Sequence, residues 1–404
     1  MDEILYINMT GEERPSILTD MAAILSRYDV AVLDIGHSVI HNTLSLGMLV
    51  SIPDRPDSVA LFHDLTLRAH ELELTLKMTP VSGADYEAWV SHQGLERNIV
   101  TVLGRHISAS HIVEISRSVA EHGLNIDGIT RLTGRLSLFH PDERQIACIE
   151  ISVRGASFDP NGMRAEFMRI AMTHGIDIAF QKDDGYRRVR RLIAFDMDST
   201  LIQAEVIDEL AKAAGVGERV AAITERAMRG EIDFRASFAE RVSLLKGLDV
   251  SVLKNIAENL PITEGADRLI RNLKAYGYKI AILSGGFDYF GNHLKERWGI
   301  DYVHTNILEI EDGKVTGRVR GDIVDGKRKA ELLAQIAEGE VIRLEQVIAV
   351  GDGANDLPML NLAGLGIAFH AKPIVKEGAR HSISTIGLDG VLYFLGLRDR
   401  DIHD

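Results

Sequence analysis

Three short apolar runs, each closed by small or acidic residues, restrict this chain more than any other feature. LIAF (192–195) runs into Asp196-Met197-Asp198-Ser199-Thr200. IAIL (280–283) runs into Ser284-Gly285-Gly286, and VIAV (347–350) into Gly351-Asp352-Gly353-Ala354-Asn355-Asp356. An apolar run without polar interruption predicts a strand buried on both faces, which belongs in a parallel sheet covered by helices. From Leu192 onward strand and helix patterns alternate, as a doubly wound α/β sheet requires. Such sheets bind ligands at the C-terminal ends of their strands, where these three clusters fall.

The residues at those ends carry a definite chemistry. Two carboxylates two positions apart, Asp196 and Asp198, are costly to bury together unless a cation or proton shares them. A divalent ion is the natural solution. Ser284 and the backbone N–H groups after it can hold phosphate oxygens without steric cost. Lys329 opens KAELLAQIA at a predicted helix start, and Asp352 sits in a glycine-rich acidic turn able to wrap a metal. Each feature alone is common; four in this order, each at a strand end or helix start, are not a coincidence.

With these motifs the segment from Leu192 to about Leu397 resembles the haloacid-dehalogenase-like hydrolases, and within them the phosphoserine phosphatases. The resemblance extends to Glu205, nine residues after Asp196, and to MRGEIDFRASFAERVSLLKG (228–247), which carries Phe234 and Arg241 seven residues apart. Seven residues are about two helical turns, so both side chains share a face. That segment falls where the family inserts a helical cap, about residues 206–264. The resemblance implies hydrolysis of O-phospho-L-serine to L-serine and phosphate, the last step of serine biosynthesis. Asp196 is then the nucleophile that becomes an aspartyl-phosphate, and Asp198 the general acid and base. Mg²⁺ is held by the Asp196 carboxylate, the Asp198 backbone carbonyl and the Asp352 carboxylate. Ser284, Gly285 and Lys329 stabilise phosphoryl charge, Asn355 contacts phosphate and product, and Asp356 orients Lys329. Arg241 forks the substrate carboxylate, Glu205 binds its ammonium, and Phe234 excludes water. Two alternatives stand beside this reading: a phosphotransferase that passes the phosphoryl group to another small alcohol, and a serine-sensing regulatory protein with a retired site.

The first 180 residues repeat one plan twice. EILYINMTGEERPSILTDMAAILSRYDVAVLDIGHSVI (3–40) and NIVTVLGRHISASHIVEISRSVAEHGLNIDGITRLT (98–133) each read as strand, glycine-bearing turn, amphipathic helix and strand. Ile17, Met21, Ile24 and Leu25 in the first helix, and Ile112, Ile115 and Val119 in the second, follow helical spacing. Further strands (44–52, 145–153), helices and closing strands (61–76, 161–179) give βαββαβ order, a ferredoxin-like sandwich. Both copies resemble the ACT family of amino-acid-sensing domains, with Glu13-Arg14-Pro15 matching its turn. Ser16 stands where that family often has glycine, and Ser110 is the nearest counterpart in the second copy. The resemblance implies an amino-acid effector and a homodimer.

The expected domains are therefore 1–80, a linker at 81–97, a second copy at 98–180, a polar linker at 181–191 (QKDDGYRRVRR), and a catalytic domain at 192–404. Within the last, ILEIEDGKVTGRV (307–319) alternates around Asp312-Gly313, a strong hairpin signal.

With 46% hydrophobic and 26% charged residues in 404, the chain has material for several cores and is not predominantly disordered. A net charge of −14 makes it a poor general binder of nucleic acid or anionic membrane. One cysteine, Cys148, rules out an internal disulfide; its apolar surroundings predict a buried strand position. The fifteen histidines form no HxH or HExxH pair. Neither a signal peptide nor a bilayer-spanning run is evident, and the expected location is cytoplasmic.

Overall fold

The structure, a computed structural model, describes residues 3–54, 58–91, 94–135, 139, 145–155 and 158–403. It divides into two compact units, residues 1–95 and 96–404.

The first unit begins with β1 (Glu3–Glu12), α1 (Ile17–Arg27), β2 (Ala31–Ile40), β3 (Thr43–Ile52), α2 (Ser58–Glu71) and β4 (Thr75–Val81). The four strands form one antiparallel sheet in the order β2-β3-β1-β4. β1 alternates as a one-sided strand should, burying Leu5, Ile7 and Met9 against Ile17, Met21, Ile24 and Leu25 of α1. Ser16, ahead of α1, has φ 78, the left-handed conformation in which glycine is at ease. The stretch read as the first linker carries a helix, α3 (Gly83–Ser91).

The second unit repeats the plan: β5 (Arg97–Gly104), α4 (Ala109–Glu121), β6 (Asn125–Arg131), β7 (Ala147–Arg154), α5 (Pro160–His174) and β8 (Asp177–Lys182), in sheet order β6-β7-β5-β8. The residue just ahead of α4 is Ser108. By position, then, Ser108 rather than Ser110 is the counterpart of Ser16. This sheet differs from the first in one respect: Asn98 through Gly104 of β5 are all buried. One face packs on α4 and α5 through Val100, Val102, Ile115 and Phe167. The other places Leu103, Leu132, Cys148 and Ala179 in the same core as Ile193 and Phe195 of the catalytic half. Burial raises the Cys148 thiol pKa well above its usual value, as the sequence led us to expect of a packing residue.

Hydrogen bonds and an ion pair cross that seam. The Asp177 carboxylate accepts from the Ser384 and Thr385 N–H groups and from Thr385 Oγ1, at 2.6–3.0 Å. Arg105 pairs with both oxygens of Glu264 at 2.9 and 3.0 Å. Gln181 Nε2 donates to the Phe394 carbonyl at 3.0 Å.

A short helix, α6 (Gly185–Arg188), leads into the catalytic half. Its strands are β9 (Leu192–Phe195), β10 (Lys279–Phe287), β11 (Tyr302–Glu311), β12 (Lys314–Arg320), β13 (Val347–Gly351), β14 (Leu365–Phe369) and β15 (His381–Ile383). They form a seven-stranded sheet ordered β12-β11-β10-β9-β13-β14-β15, parallel except for β12. β9 is central, with β10 on one side and β13 on the other; connections diverge there, and such a switch point opens a crevice. Between β9 and β10 lie α7 (Val206–Ala213), α8 (Gly217–Met228), α9 (Phe234–Ser243) and α10 (Val250–Glu258), then α11 (Ala266–Ala275). The first four fill the segment expected to be the cap. The remaining helices are α12 (Asp288–Trp298), α13 (Gly326–Gly339), α14 (Leu357–Leu362), α15 (Pro373–Gly378) and α16 (Gly390–Phe394).

The predicted hairpin is present as β11–β12. Asp312 (φ 47) and Gly313 (φ 74) both take positive φ, the turn whose twist suits two antiparallel strands. No helix of the described residues is long and apolar enough to cross a membrane.

Candidate active site

Register brings the three strand ends to one level. Phe195 pairs with Ile282 of β10 and with Val350 of β13. The residues just beyond, Asp196 and Asp198, Ser284 and Gly285, and Asp352 and Asn355, therefore emerge side by side. All six line one cavity of about 640 Å³. The cap supplies its other wall, with Glu205 just ahead of α7 and Phe234 and Arg241 on α9. Lys329 and Asp356 lie beneath, fully buried. The residues to which the resemblance gave catalytic, substrate or metal roles thus converge on one place.

The floor is an ion-pair chain. Lys329 Nζ sits 2.8 Å from Asp196 Oδ2 and 2.7 Å from Asp356 Oδ1. Burial alone would lower the lysine pKa, but Asp196 and Asp356 outweigh it and hold the ammonium charged. The other Asp196 oxygen accepts from the Met197 N–H at 2.7 Å, so the nucleophile candidate is aimed. Glycine at 286 lets the turn approach closely: a Cβ there would meet Met197 Cε at 2.5 Å and Asp198 Oδ2 at 2.9 Å, so both side chains would have to shift.

Carboxylates outnumber cations. Asp196, Asp198, Glu205, Asp352 and Asp356 share the site with Lys329 and Arg241. The electrostatics respond accordingly. Burial, then Glu205 and Asp196, raise the Asp198 carboxyl pKa well above the usual range. Burial with Asp196 and Asp356 pushes Asp352 up to about 7. Burial also raises Glu205, although a hydrogen bond from Ser199 opposes it. A dianionic phosphate would deepen this excess of negative charge.

The donor set fits a hard divalent cation. Oxygens of Asp196, Asp352 and Asp356 lie within 4.8 Å of one another. Asp198 Oδ1 is buried without a hydrogen-bond partner. Carboxylate oxygen is the ligand such ions prefer.

Arg241 makes no ion pair among the described residues; its Nε donates to the Ser237 carbonyl at 3.4 Å. Glu240 pairs with Arg226 and Glu225 with Arg229 instead. Burial lowers its pKa, opposed by Asp208, Glu205 and Asp198. Phe234 stacks on Phe238, with ring centroids 6.0 Å apart, and lies over Gly285.

Sequence reasoning missed Ser199 and Thr200 as members of the site. Ser199 Oγ donates to Glu205 Oε1 at 2.7 Å, and Thr200 Oγ1 to Asp352 Oδ1 at 3.3 Å. Their place directly after the paired aspartates was the available signal. Ser237, buried with its hydroxyl unpartnered, also lines the cavity. Nothing in its helical context marked it.

The central-strand carboxylates, the switch-point crevice and the helical insertion define a haloacid dehalogenase-like hydrolase. A family profile of that description matches residues 190–364, and ACT-domain profiles match 3–79 and 97–181. A phosphoserine phosphatase of Streptomyces coelicolor is 40% identical over 98% of this chain and 93% of its own length. Phosphoserine phosphatase SerB2 of Mycobacterium tuberculosis is 37% identical over 98% of this chain and 94% of its own. Among solved structures, a probable phosphoserine phosphatase of Vibrio cholerae superposes with a TM-score of 0.57 at 35% identity, covering 74% of this chain and 86% of that one. The chain belongs to the phosphoserine phosphatases, phosphoric monoester hydrolases of the haloacid dehalogenase-like class, here with two N-terminal ACT domains.

Proposed function

We propose that this enzyme hydrolyses O-phospho-L-serine with the residues assembled above in specific roles. The observation that carries the proposal is one cavity lined by two chemically distinct sets of groups: Asp196, aimed by Lys329 and the Met197 N–H, and the cap-side pair Arg241 and Glu205, matched to a carboxylate and an ammonium.

In this reading an Asp196 carboxylate oxygen attacks phosphorus. A new P–O bond forms as the bond to the serine oxygen breaks, and Asp198 gives that oxygen its proton. The raised pKa of Asp198 supports its entering the step as an acid. Water then attacks the phosphoaspartyl group, Asp198 takes its proton, and phosphate leaves. Lys329, Ser284 and the Gly285 N–H stabilise charge on the phosphoryl oxygens, and Asn355 contacts phosphate at the mouth. Mg²⁺ held by Asp196, Asp352 and the Asp198 backbone carbonyl supplies neutralisation of phosphate charge. Arg241 forks the substrate carboxylate, Glu205 holds its ammonium, and Phe234 shields the reacting centre from water. Asp356 keeps Lys329 in place.

The same proposal takes serine biosynthesis in the cytoplasm as the setting, with a homodimer and an amino-acid effector at the ACT domains. The buried, single cysteine supports a reducing compartment.

Phosphate release from a panel of small phosphomonoesters, with and without chelator, tests this reading. The expected result is a preference for phosphoserine that Arg241→Ala removes and chelation abolishes. Asp196→Asn should end turnover in a folded protein; retained turnover would overturn the nucleophile assignment.

A further inference from the structure

The ladder between β10 and β11 is broken at one point. Leu283 pairs with His304, and pairing resumes at Phe287 with Asn306, so four steps along β10 match two along β11. Across the break Ser284, Gly285 and Gly286, the turn at the cavity floor, stand against Thr305 alone. A bulge of this kind leaves backbone groups without ladder partners, and buried ones must find others. The Asn306 side chain is the substitute. Its Nδ2 donates to the Gly285 carbonyl at 2.8 Å, and its Oδ1 accepts from the Val324 N–H at 2.9 Å. The residue is 1% exposed.

Both ends of that bridge lead to groups proposed to touch phosphate. The peptide joining Gly285 to Gly286 is held at its oxygen by Asn306 and at its N–H by Ser284 Oγ, 3.0 Å away. Ser284 Oγ is thereby an acceptor from the backbone, and its own proton has no acceptor among the described residues. On the other side, Val324 precedes Asp325. The Asp325 side chain caps α13 through the Arg328 N–H, and its carbonyl accepts from the Lys329 N–H, both at 2.9 Å.

We propose that Asn306 is a positioning residue for phosphoryl transfer, locking the Ser284–Gly286 turn to the loop that delivers Lys329. The inference rests on the roles proposed above for Ser284, Gly285 and Lys329. Asn306 reaches neither substrate nor reacting atoms; it acts by fixing the spacing between two groups of donors that must meet the same phosphate. Preorganised donors contribute through the transition state, so the effect falls on kcat rather than KM.

Two variants test this. Asn306→Ala removes both bonds. Its kcat should fall about 10- to 100-fold with KM changed less than about 3-fold. Asn306→Asp keeps the shape and the acceptor for Val324, but when ionised it sets a lone pair against the Gly285 carbonyl. Once protonated, its O–H replaces the lost donor. A buried carboxyl has a raised pKa, so the Asn306→Asp to wild-type kcat ratio should climb at least about 5-fold from about pH 8 to about pH 5.5. The Asn306→Ala ratio should stay flat.

Other titratable or charged groups on the packed elements are Asp288 on α12, His304 on β11, Asp322 and Asp325 on the loop, and Arg328 on α13, with Asp198 beyond Gly286. They are common to all the proteins, so the ratio cancels them. Thermal unfolding of each variant checks the fold, and Asn306→Asp carries the test if Asn306→Ala does not fold. Wild-type kcat in Asn306→Ala, or a pH-independent Asn306→Asp ratio, overturns the inference. Asp196→Asn and Lys329→Met, assayed alongside, separate the two failures. If those two lose turnover while the Asn306 variants do not, only the positioning role is wrong.

Discussion

Ser199 Oγ donates a 2.7 Å hydrogen bond to Glu205 Oε1, across the turn between the paired aspartates and α7. Ser199 holds a positive φ of 56 while doing so. The carboxylate proposed to meet the substrate ammonium is therefore set before substrate arrives. A hydrogen bond to a charged group is worth about 1.5–3 kcal/mol, roughly ten- to a hundredfold in affinity. Glu205→Gln should accordingly raise KM for phosphoserine by about tenfold or more while changing kcat less. With a phosphomonoester lacking the amino group the penalty should vanish. An equal penalty on both substrates would show that Glu205 does not read the ammonium.

Lys329 joins two buried carboxylates, and removing it strands both. Lys329→Met should lower kcat by about 10²–10³-fold by losing a charge at the phosphoryl oxygens. It should also destabilise the fold by about 3–5 kcal/mol, the usual cost of an uncompensated buried charge. Adding Asp356→Asn to that variant should restore part of the stability and none of the rate. Urea unfolding and steady-state kinetics on the single and double variants measure the two separately.

The carboxylate excess predicts opposite effects of metal and of charge removal. Chelator should abolish phosphate release, and added Mg²⁺ should restore it and raise the unfolding midpoint, because a ligand of the native state stabilises it. Asp352→Asn should be inactive. In chelator, however, it should unfold at a higher temperature than wild type, since burial and two neighbouring carboxylates already push Asp352 up to about 7. A lower midpoint would argue that these acids are not strained by one another.

His381 provides a pH dependence of stability. Its ring nitrogens face the Phe180 and Gly366 carbonyls at 3.1 and 3.3 Å, in full burial, and burial lowers its pKa to about 4. The unfolded imidazole protonates near 6.5. Between these values the unfolded state binds the extra proton. The stabilisation is therefore complete above about pH 6.5 and is lost as pH falls toward 4, by up to about 3 kcal/mol. In His381→Asn the fall in unfolding free energy between pH 7 and pH 4.5 should be shallower than in wild type; equal slopes would remove His381 as the cause.

Much of this site is local in the sequence, and so was legible there. Asp196, Ser284 and Asp352 each follow directly from an apolar strand, and a parallel strand delivers its next residues to the sheet's C-terminal edge whatever else the chain does. The Asp312-Gly313 turn and the Phe234–Arg241 spacing are equally local. Asn306 is different. It sits beside the predicted hairpin with no motif around it, and its role exists only because β10 carries two more residues than β11 at that level.

The paired plan of the N-terminal sheets was visible, but their difference was not drawn from it. NIVTVLG, apolar except for Asn98 and Thr101, is buried throughout where the first copy's β1 alternates, and that marks burial on both faces. What covers the second face lies about 90 residues further on, in the core that Leu103 and Cys148 share with Ile193. By itself the sequence determined which residues stand at strand ends and which chemistry they offer, because backbone direction and side-chain period are set over a few residues. Tertiary structure alone decided which buried groups meet: Lys329 with Asp196, His381 with Phe180, Asn306 with Gly285. Each such contact joins distant segments, and its geometry depends on how whole layers pack rather than on any neighbour along the chain.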